Sequence, residues 1–204
     1  MNHRQRFGAV VVASTLFACA SAQAATTSTF DDDLEGWTTS GDVVSFTHET
    51  SGGNPGGWGR IVDAASGATF FAHAPTGFHG DRSAADGTVM SFDFMLVSRS
   101  GSDLAPFGTV TISSSSDSAS LDFGDVPATG VWQTYSAPLT AADWGKTQTE
   151  WDALLSDVTD VQLRLEAIFG NETVGLDNFV FVPEPGSAAL LALGGVMLLR
   201  RRRA

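Results

Sequence analysis

The sequence predicts an all-β fold, a two-sheet jelly-roll sandwich with one short helix. Between residues 25 and 182 the apolar residues fall in many short runs rich in β-branched and aromatic side chains, with little helical periodicity. Gly, Ser, Asp and Pro punctuate these runs throughout. Several runs alternate: in Val161-Gln162-Leu163-Arg164-Leu165-Glu166 the apolar side chains fall on one face and the polar ones on the other.

Taken in order, the expected strands are Val43–His48, Arg60–Val62, Thr69–Ala72, Val89–Val97, Phe107–Ile112, Ala119–Phe123, Trp132–Ala137, Val158–Ile168 and Val174–Val182. One helix is expected over Thr149–Leu155, capped by Thr149, with Trp151, Leu154 and Leu155 on one face. The serine run Ser113–Ser116 is too short for a linker and reads as a hairpin turn. Nine strands and a helix leave one domain built of two packed sheets.

Both ends differ from this middle. Arg4 and Arg6, the apolar stretch Phe7–Ala20 and the small-x-small site Ala22-Gln23-Ala24 predict a signal peptide over residues 1–24, cleaved before Ala25. Leu16-Phe17-Ala18-Cys19 is a poorer, lipoprotein-like alternative because Phe17 is bulky. Cleavage at Ala24 discards Cys19, the one cysteine, so the mature domain has no disulfide chemistry. Residues 25–182 keep five of the 11 basic and 22 of the 23 acidic side chains, a net charge of −17 against −12 for the whole chain. Such a surface repels nucleic acid and anionic lipid and favours cations or neutral polymers.

At the other end, Pro183-Glu184-Pro185 precedes an apolar run from Ala188 to Leu199 and then Arg200, Arg201, Arg202 and Arg203. The run is shorter than the roughly 20 residues that span a bilayer, but the arginines can snorkel and favour the cytoplasmic side. In order, spacing and position this segment, 183–204, resembles the PEP-CTERM sorting signal. An ordinary tail anchor would carry a longer span. The resemblance implies a Gram-negative host, export across its inner membrane, transient retention there by the C-terminal helix, and processing near Pro183–Pro185 by an exosortase. Delivery to the cell surface or extracellular matrix would follow.

The middle region resembles the laminin B-like (laminin IV type A-like) domain. The resemblance rests on Phe30-Asp31 with Leu34-Glu35-Gly36-Trp37, Gly52-Gly53-Asn54-Pro55-Gly56-Gly57, Ala74-Pro75 with Phe78-His79-Gly80-Asp81, Met90-Ser91-Phe92-Asp93-Phe94 and Leu176-Asp177-Asn178-Phe179. The cysteines of the animal versions are absent, so laminin's own role does not transfer. The resemblance implies a fold close to the jelly rolls of carbohydrate-binding modules.

Asp31-x-Asp33-x-Glu35-Gly36 imitates the front of a calcium loop, yet Asp42 stands where a helix-flanked loop needs a bidentate Glu. A structural Ca²⁺ between the first and last strands is the better expectation, since such jelly rolls often hold one there. Asp31, Asp33, Asn54 and Asp177 are its expected ligands, with glycine-loop carbonyls beside them. The alternative leaves Asp31–Asp33 a solvated turn and Asp177 bonded to nearby amides. Trp37, Trp58, Trp132 and Trp144 are candidates for stacking on a sugar ring, although core packing is the commoner role of a tryptophan in a sandwich of this size; Trp58, flanking the five-glycine loop Ser51–Gly59, is the exception expected to be exposed and to bind glycan. His73, His79 and Asp81 match no zinc spacing. No serine-hydrolase elbow, zinc-protease motif or phosphate loop is present.

The expected function is therefore non-enzymatic: an exported, exosortase-sorted protein that binds extracellular polysaccharide or builds exopolysaccharide matrix. A secreted polysaccharide-acting enzyme and a structural or adhesive protein without a small ligand are the alternatives.

Overall fold

The computed structural model describes residues 26–64, 69–104 and 107–181. The cleavage site at Ala22 and Ala24 and the sorting residues Pro183, Glu184, Pro185 and Arg200 to Arg203 lie outside them. Among the described residues no helix is long and apolar enough to cross a membrane.

Among the described residues eleven strands form two antiparallel sheets. They are β1 (Thr27–Ser28), β2 (Thr38–Ser40), β3 (Val43–Glu49), β4 (Trp58–Asp63), β5 (Phe71–His73), β6 (Val89–Asp103), β7 (Thr109–Ser114), β8 (Ser118–Leu121), β9 (Trp132–Pro138), β10 (Val158–Arg164) and β11 (Ile168–Val180). The six-stranded sheet runs β3-β4-β11-β6-β9, with β1 added to β11; the five-stranded sheet runs β2-β5-β10-β7-β8. The all-β sandwich that the alternation predicts is thus the fold.

Their inner faces supply the core. Ile61, Phe92, Phe94, Leu96, Val174 and Leu176 come from the larger sheet, and Ala72, Val110, Ile112, Val161 and Leu163 from the smaller one, all fully buried. Each large side chain so buried contributes on the order of 1.5–3 kcal/mol. The helix α1 (Gln148–Leu155) seals one side with Trp151, Leu154 and Leu155 buried.

Several boundaries move. Thr147, not Thr149, caps α1: its side chain accepts from the Glu150 amide, and Glu150 reaches back to the Thr147 amide in a capping box. The expected strand Val158–Ile168 is two strands, because at residues 165–167 the chain crosses from the five-stranded to the six-stranded sheet. β6 and β11 outrun their expected lengths by pairing with each other as far as Asp103 and Ile168. The serine run is the expected hairpin, closed by the Ser114 amide donating to Asp117 O at 2.8 Å.

Candidate functional site

The first turn, the glycine loop and the last strand meet at one place. The turn after β1 is fixed from inside: Phe30 packs on Trp37 and Trp37 on Phe179, with the Trp37 and Phe179 ring centroids 5.0 Å apart. Phe30 and Glu35 adopt φ of +53° and +49°. Glu35 Oε1 accepts the amides of Thr29 and Phe30 at 2.9 and 2.7 Å, which fastens the turn across its mouth. Asp31, Asp32 and Asp33 stay exposed. Asp33 Oδ1 accepts the Glu35 amide at 2.5 Å, so it serves the turn itself.

The glycine loop folds over the outer face of the six-stranded sheet, and Gly53, Gly56 and Gly57 are among its glycines that admit no side chain. A β-carbon on Gly56, whose φ is +91°, would collide with Asp31 Oδ1. One on Gly53 would lie 2.8 Å from Asp177 Oδ2 and 2.9 Å from Gly56 O, with Gly57 O closer still. The carbonyls of Gly56 and Gly57 and the carboxylate of Asp177 therefore crowd the α-carbon of Gly53.

Asp177 is fully buried on β11. Its Oδ2 accepts the Asn54 amide at 2.6 Å, and its Oδ1 the Asn178 amide at 2.7 Å. Asp93, its register partner on β6, is also buried. Asn54 and Asn178 both donate their side-chain amides to Asp93 Oδ2, at 3.0 and 2.9 Å, and Thr134 donates to Asp93 Oδ1 at 2.5 Å. Burial, and then repulsion from Asp93 and Asp31, pushes the Asp177 carboxyl up to about 6.

Of the four expected calcium ligands, the structure joins Asn54 to Asp177 and brings Asp31 against the same loop. Asp33 faces its own turn. Asp93 and Asn178 are the members that sequence reasoning missed, though both lie in segments it singled out. Among the described residues no three His, Cys, Asp or Glu side chains are gathered closely enough to hold a metal ion, so a cation here would need carbonyl and amide oxygens as well.

Trp58 is not the exposed ring that its loop position predicts; it is 7% exposed. The reason lies on β11, where Gly175 has no side chain. A β-carbon there would lie 2.9 Å from Trp58 Cε3 and 2.8 Å from Trp132 Cη2, so both rings lean over the glycine. Trp58 Nε1 donates to Ser51 O and Trp132 Nε1 to Gly52 O, which ties the rings under the loop. They meet edge to face at 5.7 Å. Trp37 and Trp144 are core residues, whereas Trp132 stays half-buried. The registers set Thr47, Arg60, Gly175, Met95 and Trp132 in one row across this face.

At the opposite end of the same sheet, a pocket of about 280 Å³ is lined by Asp63, Arg99, Asn171 and Glu172, among others. Glu172 is buried, and burial followed by repulsion from Asp63 and Glu166 lifts its carboxyl to about 8. The Asp81 carboxylate accepts the Ser83 amide at 2.9 Å.

No family model and no curated protein matches the sequence. Solved structures do match in fold. The CBM22-1 xylan-binding domain from Paenibacillus barcinonensis Xyn10C aligns with a TM-score of 0.51 at 13% identity, over 83% of this chain and 100% of that one. An exo-β-agarase aligns with a TM-score of 0.52 at 14% identity, over 80% of this chain and 26% of that one. The L4b domain of human laminin α-2 aligns with a TM-score of 0.47 at 11% identity, over 60% of this chain and 78% of that one. The chain shares the β-sandwich architecture of carbohydrate-binding modules.

Proposed function

We propose that this is an exported polysaccharide-binding protein whose ligand lies across the outer face of the six-stranded sheet. The observation that carries the reading is the row Thr47-Arg60-Gly175-Met95-Trp132, in which a half-open indole stands beside a central glycine and opposite a guanidinium. An indole face stacks on the apolar side of a sugar ring while charged and hydroxyl groups along the row take its hydroxyls. Trp132 replaces Trp58 as the stacking residue. The likeness to a xylan-binding domain supports the fold on which such a face is built and leaves the polymer open.

Within this reading Ca²⁺ braces the site. Asp177, Asp31 and the carbonyls of Gly56 and Gly57 would hold it, a hard-oxygen set of the kind calcium prefers, and the meeting of the first turn, the glycine loop and the last strand at Asp31, Gly56 and Asp177 is the observation that favours it. A bound cation would fasten the first turn to the loop and the last strand. The N-terminal signal and the sorting segment 183–204 then take the protein across the inner membrane to an exosortase and on to the cell surface or matrix.

Depletion binding of the protein to insoluble polysaccharides, with the host's own exopolymer among them, tests the reading. Saturable binding that Trp132→Ala weakens supports it. Binding to none of the polymers, with capture of cells or self-association instead, would turn the assignment to an adhesive or structural role.

A further inference from the structure

The outer face of the five-stranded sheet takes no part in the site above. There β2, β5 and β10 are neighbours, and the registers His73↔Thr38 and His73↔Gln162 place His73 diagonal to Ser40 on one side and Asp160 on the other. The three side chains are linked. Ser40 Oγ is 2.8 Å from His73 Nε2, and His73 Nδ1 is 3.1 Å from Asp160 Oδ2. A carboxylate only accepts, so Nδ1 bears the ring proton; in the neutral ring Nε2 is then the acceptor of the Ser40 hydroxyl. His73 and Asp160 are partly sheltered, with side-chain exposures of 25% and 33%, while Ser40 is exposed on the edge strand.

This is the connectivity that turns a serine into a nucleophile: hydroxyl to base, and base to an orienting carboxylate. We propose that Ser40 is an activated serine that takes acyl groups from esters with good leaving groups. Ser40 Oγ bonds to the carbonyl carbon as its proton passes to His73 Nε2. The ester C–O bond then breaks and the leaving oxygen takes that proton. Water, deprotonated in turn by Nε2, attacks the acyl-serine, releases the carboxylic acid and restores Ser40. Asp160 holds the Nδ1 proton throughout and offsets the charge of the imidazolium. Gly41 follows Ser40 with φ of +84°, and the residue after a nucleophile is a usual source of an oxyanion-binding amide. The open face sets the substrate class: donors and charges act weakly beside water, so reaction is confined to activated acyl esters.

The full-length protein is incubated with a fluorophosphonate probe and digested for peptide mass. One label on Ser40 is expected, absent from Ser40→Ala and slowed about 100-fold in His73→Gln and Asp160→Asn. Hydrolysis of p-nitrophenyl acetate should fall in the same order, while Ser120→Ala, at an exposed serine of β8, should label at the wild-type rate, and Ser40→Ala should still deplete onto polysaccharide, which separates this serine from polysaccharide binding. Ser40 is exposed, so its alanine variant should keep the wild-type circular dichroism. An unlabelled wild type, a label that persists in Ser40→Ala, or an unchanged rate in His73→Gln would each overturn the proposal.

Discussion

Asp93 and Asp177 stand side by side on β6 and β11, and Asn54, reaching in from the glycine loop, bonds to both: its amide to Asp177 Oδ2 and its side chain to Asp93 Oδ2. Two like charges in one buried place are tolerable because amide donors from two elements converge on them. The loop is held by the same bonds. Asn54→Ala leaves Asp93 short of a donor, and we expect a loss of about 1–3 kcal/mol, read as a lower urea midpoint with an unchanged slope.

The raised carboxyl of Asp177 gives the calcium reading a pH signature. A carboxyl pushed from 3.8 to about 6 by folding contributes stability below the lower value and loses it as pH rises through the upper one. In a chelator the melting temperature should therefore fall between about pH 4 and 6. Calcium, which pairs with the ionised form, should restore it at neutral pH. Asp177→Asn should flatten the pH profile and abolish the calcium response. A melt at pH 7 indifferent to chelator would remove the cation from this site.

Trp58 and Trp132 separate stability from binding. Trp58→Ala empties a buried position over Gly175 and should cost about 3–5 kcal/mol in urea unfolding. Trp132→Ala removes a half-open ring and should weaken polysaccharide binding about tenfold, with a much smaller effect on stability. Equal binding losses at equal stability for both variants would break the assignment of the face.

What the sequence shows and hides here follows from distance along the chain. Alternation in β10 and the aromatic runs of β6 reveal the sandwich because strand periodicity is local. The Thr147-x-x-Glu150 spacing is likewise a capping-box signal, and Thr149 misleads only because it also precedes Trp151. Trp58 misleads for the opposite reason. Its burial depends on Gly175, more than a hundred residues away, and only the β4–β11 register reveals that. Asp93 looks like an ordinary outward residue of an alternating strand until β11 sets Asp177 beside it. Ser40, His73 and Asp160 share no motif at all, since three strands distant in sequence bring them together.

The terminal segments make a separate expectation. If they are a signal peptide and a sorting signal, the intact mass of the protein recovered from its host should lack residues 1–24 and the segment after about Pro185. Recovery of the uncut arginine tail would count against sorting and leave the binding face untouched.

Glu172 supplies the last expectation, at the far end of the sheet. The register Val62↔Thr173 brings Asp63 beside Glu172 at the end of β4. Glu172 Oε1 accepts the Ala167 amide at 2.9 Å, whereas its Oε2 is buried with no hydrogen-bond partner among the described residues. Burial therefore favours the neutral acid, and the carboxyl rises from 4.5 to about 8. The sign is the same as for Asp177. The contribution is present below about pH 4.5 and is lost as pH rises to about 8, on the order of a few kcal/mol across that window. Glu172→Gln keeps an acceptor for the Ala167 amide and removes the ionisation. Its unfolding free energy should vary less with pH than that of the wild type and exceed it above pH 8, measured in calcium so that Asp177 stays paired. If the slope survives in Glu172→Gln, its source moves to Glu166, whose carboxyl burial also raises.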